Sequence, residues 1–232
     1  MATIGHEVIP ASDSTIWDSR LAGLPEEQQD VHFTARYHRM YEANGDGEAR
    51  LFCYRASGFT FLYPFLLRPV PEALVDGRWF DITSAYGYTG PLSDCDDPEF
   101  LAAADKYFRE YCRSENIVTE FVRFHPLLGN ERFFSSATDM ELIRLRDYVA
   151  VPIESDPERQ FAAYAARNRT SIRKAIKEGV RIESGDGFGQ FVELYLENMR
   201  QLNAAPLYFF SPPFFRLLEQ LVATDGFVLT AS

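Results

Sequence analysis

The sequence predicts an α/β (α+β) fold of two units, each a mixed sheet flanked by helices, and three observations point to it. The aromatic and aliphatic runs ARLFCYR and FTFLYPFLLRPV flank Ala56-Ser57-Gly58, which reads as a hairpin and its turn. Asp97-Pro98-Glu99 and Ser155-Asp156-Pro157-Glu158 put capping side chains just before proline, the pattern that opens helices. Strand-like and helix-like segments then alternate to the C-terminus, which requires crossovers and hence a mixed sheet.

In order along the chain, Trp17 to Leu24 and His32 to Ala43 read as helical pieces around the polar PEEQQD. The hairpin follows. WFDITSAYGYTGPLSD begins as a strand and becomes a glycine-rich loop. The helix capped by Asp97 carries an apolar stripe at Leu101, Ala104, Tyr107 or Phe108, and Tyr111. IVTEFVRFHPL is apolar on much of both faces, which predicts a central strand. Arg146 to Ile153 predicts another short strand. A helix from Asp156 to Lys177, capped by Ser155 or Asp156, stops at Gly179. VRIES is a strand, FGQFVELYLENMRQL and PPFFRLLEQLVA are helices, and GFVLTAS is a last strand. The expected division is 1–152 and 153–232.

Composition narrows the function classes. The chain is 46% hydrophobic with a formal net charge of -11, and its pI is about 4.9. Such acidity opposes general DNA or other nucleic-acid binding, because phosphates reward positive charge. No signal-peptide pattern or membrane-length apolar run is present, and the three cysteines form no Cys-x-x-Cys pair. A reduced, cytoplasmic setting without a transmembrane segment is the expectation.

Against this acidity, RNRTSIRKAIKEG concentrates Arg167, Arg169, Arg173, Lys174 and Lys177. Placed on the expected helix, Phe161, Tyr164, Ala165, Ile172, Ala175 and Ile176 share one face, with Asn168 in its middle. A solvated face is the ordinary meaning of such a run. Anion binding is the alternative: like charges four apart repel, no acid at the right step relieves them, and a buried Asn168 amide needs partners. In SAYGYTGPL, Gly87 and Gly90 free the backbone, while Tyr86 and Tyr88 either pack back on the domain or wall a pocket. Arg123 shares a strand face with His125, where a structural ion pair is the expected outcome. His125 reads as a hydrogen-bonded structural residue. Ser184–Gly189 resembles a phosphate loop but lacks its Lys-Ser/Thr end and includes Asp186, which repels phosphate. His32 and His38 lack a partner Cys or carboxylate at ligand spacing, so no metal site is expected.

TSAYGYTGPL, EFVRFHPL, RNRTSIRKAIKEGVRI and a Tyr-Phe-Phe segment before a helix together resemble the FemAB-type branch of the acyltransferase superfamily. The resemblance implies two tandem units of the GCN5-related N-acyltransferase fold and transfer of an acyl or aminoacyl group onto an amine. Acyl-CoA or aminoacyl-tRNA would be the donor, with no permanently bound cofactor. The acceptor would be anionic and nucleotide- or sugar-linked, in peptidoglycan or surface-polysaccharide synthesis. Arg167, Arg173 and Lys174 would then hold a diphosphate, Tyr86 and Tyr88 would line the acceptor cleft, and Tyr208 would lie near the junction. The catalytic base is not identified. The resemblance also implies strands beyond Ser232 and a coenzyme A phosphate loop that is absent here. A fragment, a completing C-terminal segment or a homo-oligomer is therefore expected, with a non-catalytic module that keeps only the acceptor cleft as the rival reading.

Overall fold

A computed structural model describes residues 5–74, 76–134, 140–185 and 187–232; Asp186 of the glycine-rich connection and the first four residues lie outside them. In chain order the elements begin with β1 (Gly5–Pro10), α1 (Ser14–Leu21), α2 (Ala35–Asn44), β2 (Glu48–Ala56), β3 (Phe59–Pro69), β4 (Phe80–Thr83) and β5 (Leu92–Ser93). They continue with α3 (Pro98–Ser114), β6 (Ile117–Phe121), α4 (Pro157–Ala163), α5 (Ala166–Lys177) and β7 (Ile182–Ser184). Last come α6 (Phe188–Gln201), α7 (Pro212–Asp225) and β8 (Leu229–Ala231).

The chain divides into two units: one takes in residues up to Glu141 plus Ala205–Asp225, the other Leu142–Ala204 and Gly226–Ser232. The expected division placed α7 in the second unit. Its aromatic face instead docks on α2, where the Phe214 ring meets Tyr41 at 5.3 Å and the Ser211 N–H donates to Asn44 Oδ1 at 2.8 Å. Chain adjacency does not decide where an amphipathic stripe finds its partner.

The first unit is built on the hairpin. Ser57 (φ +54) and Gly58 (φ +89) both lie in the left-handed region, as a tight turn between right-twisted strands demands. It sets the register from Ala56↔Phe59 to Glu48↔Leu67. β1 extends the sheet antiparallel to β2, β4 pairs antiparallel to β3, and β6 pairs parallel to β4. The strand order is β1-β2-β3-β4-β6 with β5 on β3, a mixed sheet as expected. The α3 stripe closes one face: Phe108, 4% exposed, resolves the Tyr107/Phe108 ambiguity, its ring 5.1 Å from Phe52 and from Tyr63. Asp97 caps α3 by accepting the Glu99 N–H. Trp17, Phe33 and Met40 are buried with α1 and α2.

Three expectations fail. β6 ends the strand order instead of lying in its centre, and its apolar Val118 and Phe121 are 55% and 51% exposed. Arg146–Ile153 has no regular structure; its alternating residues meet no ladder partner, without which a strand does not persist. The helix expected over Asp156–Lys177 is two helices, because Tyr164 and Ala165 adopt extended backbone between α4 and α5. Asp156 is the cap, accepting the Glu158 N–H, and Gly179 (φ +82) follows the end of α5.

In the second unit β7 and β8 pair antiparallel, Ile182 opposite Ala231, and no side chain of α4, α5 or α6 is fully buried. Among the described residues, no helix is long and apolar enough to cross a membrane.

Candidate functional site: the tyrosine loop

Two parallel strands end side by side in the first unit, and the chain beyond each stays paired. The Ser84 N–H donates to Phe121 O (3.0 Å) and the Thr89 N–H to Arg123 O (2.9 Å), while Ser84 Oγ accepts the Arg123 N–H (3.1 Å). The carboxyl ends of parallel strands are where open α/β sheets place ligands. The loop SAYGYTGPL departs from this edge.

Glycine is required at two points of that loop. At Gly87 (φ +113) a Cβ would lie 2.6 Å from Tyr37 Oη, and at Gly90 (φ +95) one would lie 2.8 Å from Asn130 Nδ2. Tyr37 Oη donates to Tyr86 O (2.6 Å). Asn130, fully buried, donates to Thr89 O (2.7 Å) and Pro91 O (3.0 Å) and accepts the His125 N–H (2.9 Å). One amide thus fastens the loop to the β6 extension.

Arg123 does not form the expected ion pair. Among the described residues its guanidinium meets aromatic faces instead, 4.8 Å from the Phe121 ring centre and 5.6 Å from that of Tyr86. Tyr86 is 46% exposed, and Tyr208 sits at right angles to it with ring centres 6.3 Å apart. Burial raises the Tyr86 hydroxyl pKa, Tyr208 adds to the rise, and the Arg123 charge opposes it. Tyr86, Tyr88, Arg123 and Tyr208 therefore belong to one region of the first unit, although Tyr208 comes from the Pro206–Tyr208 turn.

Under the loop lies a group that the sequence did not single out. Asp30 caps the Val31–Phe33 turn by accepting the His32 N–H (2.9 Å). The same oxygen faces His32 Nδ1 at 2.5 Å, and Asp30 Oδ2 lies 4.0 Å from His125 Nε2. The Tyr88 ring centre is 6.4 Å from each imidazole. The bond from His32 holds the Asp30 carboxyl below its usual pKa against the effect of burial. Burial lowers the His125 pKa despite the nearby Asp30 charge. His125 is hydrogen-bonded as expected, its Nδ1 accepting the Leu127 N–H (3.3 Å). The signal for Asp30 was local, a carboxylate two residues before His32; His38, the partner weighed for a metal, is buried in the core.

One ligand-capable atom from each of Asp30, His32 and His125 lies within 4.8 Å of the others. With Asp30 ionised, His32 Nδ1 is the donor of their bond, and the Leu127 N–H makes His125 Nδ1 an acceptor.

The other candidate residues lie on α5 in the second unit. Arg167, Asn168, Arg173 and Lys174 are all exposed, so Asn168 is not the buried amide that the helical wheel implied. Breaking the helix at Tyr164–Ala165 removes the continuous apolar face. Lys174 has an acid four residues on, Glu178 at 3.7 Å, contrary to the expectation of unrelieved repulsion. Arg173 lies over the Phe161 ring at 5.2 Å. Arg169 is spent on the end of α4, donating to Ala162 O (3.1 Å) and to Tyr164 O.

No protein-family model matches this sequence, and no curated protein does. Among solved structures, a crystal structure of FemX is similar to it, with 16% identity and a TM-score of 0.60. The match covers 97% of this chain and 57% of the FemX chain, so the chain spans little more than half the length of that structure. The mixed sheet flanked by helices is similar to the fold of FemX.

Proposed function

We propose that this chain is a Fem-type acyltransferase, which moves an acyl or aminoacyl group onto the amine of an anionic, nucleotide- or sugar-linked acceptor in cell-wall or surface-polysaccharide synthesis. The observation that carries the reading is Arg123: a guanidinium without a carboxylate partner among the described residues, backed by Tyr86 and Phe121 at the ends of two parallel strands. Arg offers phosphate a planar, bidentate partner. Tyr86, Tyr88 and Tyr208 add flat apolar faces with hydroxyls, which suit sugar rings. The FemX fold supports the choice of reaction class.

Arg167, Arg173 and Lys174, with Asn168 beside them, are a candidate anion site within the second unit; their exposure leaves them accessible to a diphosphate. The donor is an acyl-CoA or an aminoacyl-tRNA, and a cytoplasmic location suits either. UDP-muramyl-pentapeptide is the binding probe. Arg123→Ala raises its dissociation constant about tenfold, the loss of one charge-assisted bond, and Arg173→Glu raises it by at least as much. Calorimetry that finds both variants binding like the wild type removes the acceptor site from the account.

A further inference from the structure

Amine transfer needs a base to release the acceptor's lone pair. We infer that Asp30 and His32 form a general-base dyad, in which His32 Nε2 takes the proton from the group bound at the Tyr86–Tyr88 loop. This assignment rests on the transferase reading and deepens it.

Asp30 fixes the imidazole twice, through the His32 backbone N–H (2.9 Å) and through Nδ1 (2.5 Å). With Nδ1 donating, Nε2 keeps its lone pair. That edge of the ring faces the loop: a Cβ at Gly87 would lie 3.6 Å from His32 Nε2. The His32 side chain is 28% accessible, open enough to meet a substrate and covered enough to be oriented.

The remaining histidines lack this combination. His38 is fully buried, with Nδ1 on Thr34 O (3.1 Å). His6 stacks on Phe52 with ring centres 5.3 Å apart. His125 has Nδ1 engaged by Leu127, and its Nε2 is 4.0 Å from Asp30 Oδ2. Its ring, 5.9 Å from that of His32, walls the other side of Asp30.

In the step, Nε2 removes one proton from the acceptor ammonium, and the imidazolium is stabilised by Asp30. The freed amine lone pair forms the C–N bond to the donor carbonyl. The donor's C–S or C–O bond breaks, and its electron pair leaves with the sulfur or oxygen, which takes the second amine proton. His32 returns its proton to solvent.

Long-range proton–nitrogen NMR on the free, histidine-labelled protein reads the tautomers directly. His32 shows a protonated Nδ1 and a bare Nε2, His125 shows the reverse, and Asp30→Ala releases His32 toward the Nε2–H form. A wild-type His32 protonated on Nε2 overturns the dyad. In the transfer assay, His32→Gln lowers kcat by about 10²–10⁴-fold with the acceptor KM within about threefold, and added imidazole restores part of the rate to His32→Gly. A kcat within threefold of wild type overturns the assignment. The two failures are separable: a wild type that transfers nothing, while His32 keeps Nε2 bare and dependent on Asp30, sinks the transferase reading and supports the dyad.

Discussion

Asn130→Ala lowers the stability of the first unit by about 4 kcal/mol, because three buried backbone groups lose their partner at about 1–3 kcal/mol each. The groups are the His125 N–H, Thr89 O and Pro91 O. No water replaces the amide without opening the loop, since Asn130 has no exposed surface. The melting temperature falls by roughly 10 °C. Asn130→Asp keeps the acceptor for His125 but sets a buried carboxylate against the Thr89 and Pro91 carbonyl oxygens, so it is no milder than Asn130→Ala. Gly90→Ala reproduces much of the effect by a separate route, because a Cβ 2.8 Å from Nδ2 displaces the same amide. Thermal unfolding followed by circular dichroism checks all three. A melting temperature for Asn130→Ala within about 2 °C of wild type shows that the amide is not what fastens the loop.

The second large effect is an acid-sensitive core. His38 is fully buried against Trp17, ring centres 5.1 Å apart, and its Nε2 has no hydrogen-bond partner among the described residues. Burial lowers its pKa from 6.5 to about 4. A base held below its ordinary pKa gives stability that is complete above pH 6.5 and is lost as pH falls toward 4. At about 1.4 kcal/mol per pH unit, that window removes about 3 kcal/mol. Glu120 works in the opposite sense: burial raises its pKa, so its ionisation costs stability as pH rises. His38→Met keeps the volume and removes the titration. Urea unfolding of wild type and variant at pH 7 and pH 4.5 should show the wild type losing stability faster on acidification. Parallel pH profiles would contradict a neutral, buried His38.

Much of the fold was legible in the sequence because its cause is local. The Ser57-Gly58 turn, the Asp97 and Asp156 caps and the stripe of α3 each rest on residues a few positions apart. The loop residues Tyr86, Tyr88 and Arg123 could be picked out because aromatic, glycine and arginine side chains stood in one strand–loop pattern. What escaped depends on distant partners. Nothing near Phe214 says that it packs on Tyr41, and nothing near Val118 says that β6 ends the strand order beside β4 among the described residues. The helical wheel for Asp156–Lys177 failed at Tyr164–Ala165, where neither proline nor glycine marks the break. Asp30 was overlooked, and His32 was weighed only beside His38, because their partner His125 lies far along the chain; the short turn that carries them is legible only as a capped turn.

Mass spectrometry of UDP-muramyl-pentapeptide incubated with this chain, separately with acyl-CoA and with aminoacyl-tRNA donors, tests the central claim most directly. The account predicts a mass gain of one acyl or aminoacyl group on the acceptor's amine with one of the donors, reduced by Arg123→Ala. An acceptor that binds with Arg123-dependent affinity yet gains no mass with either donor would contradict it and leave a binding module in the FemX fold.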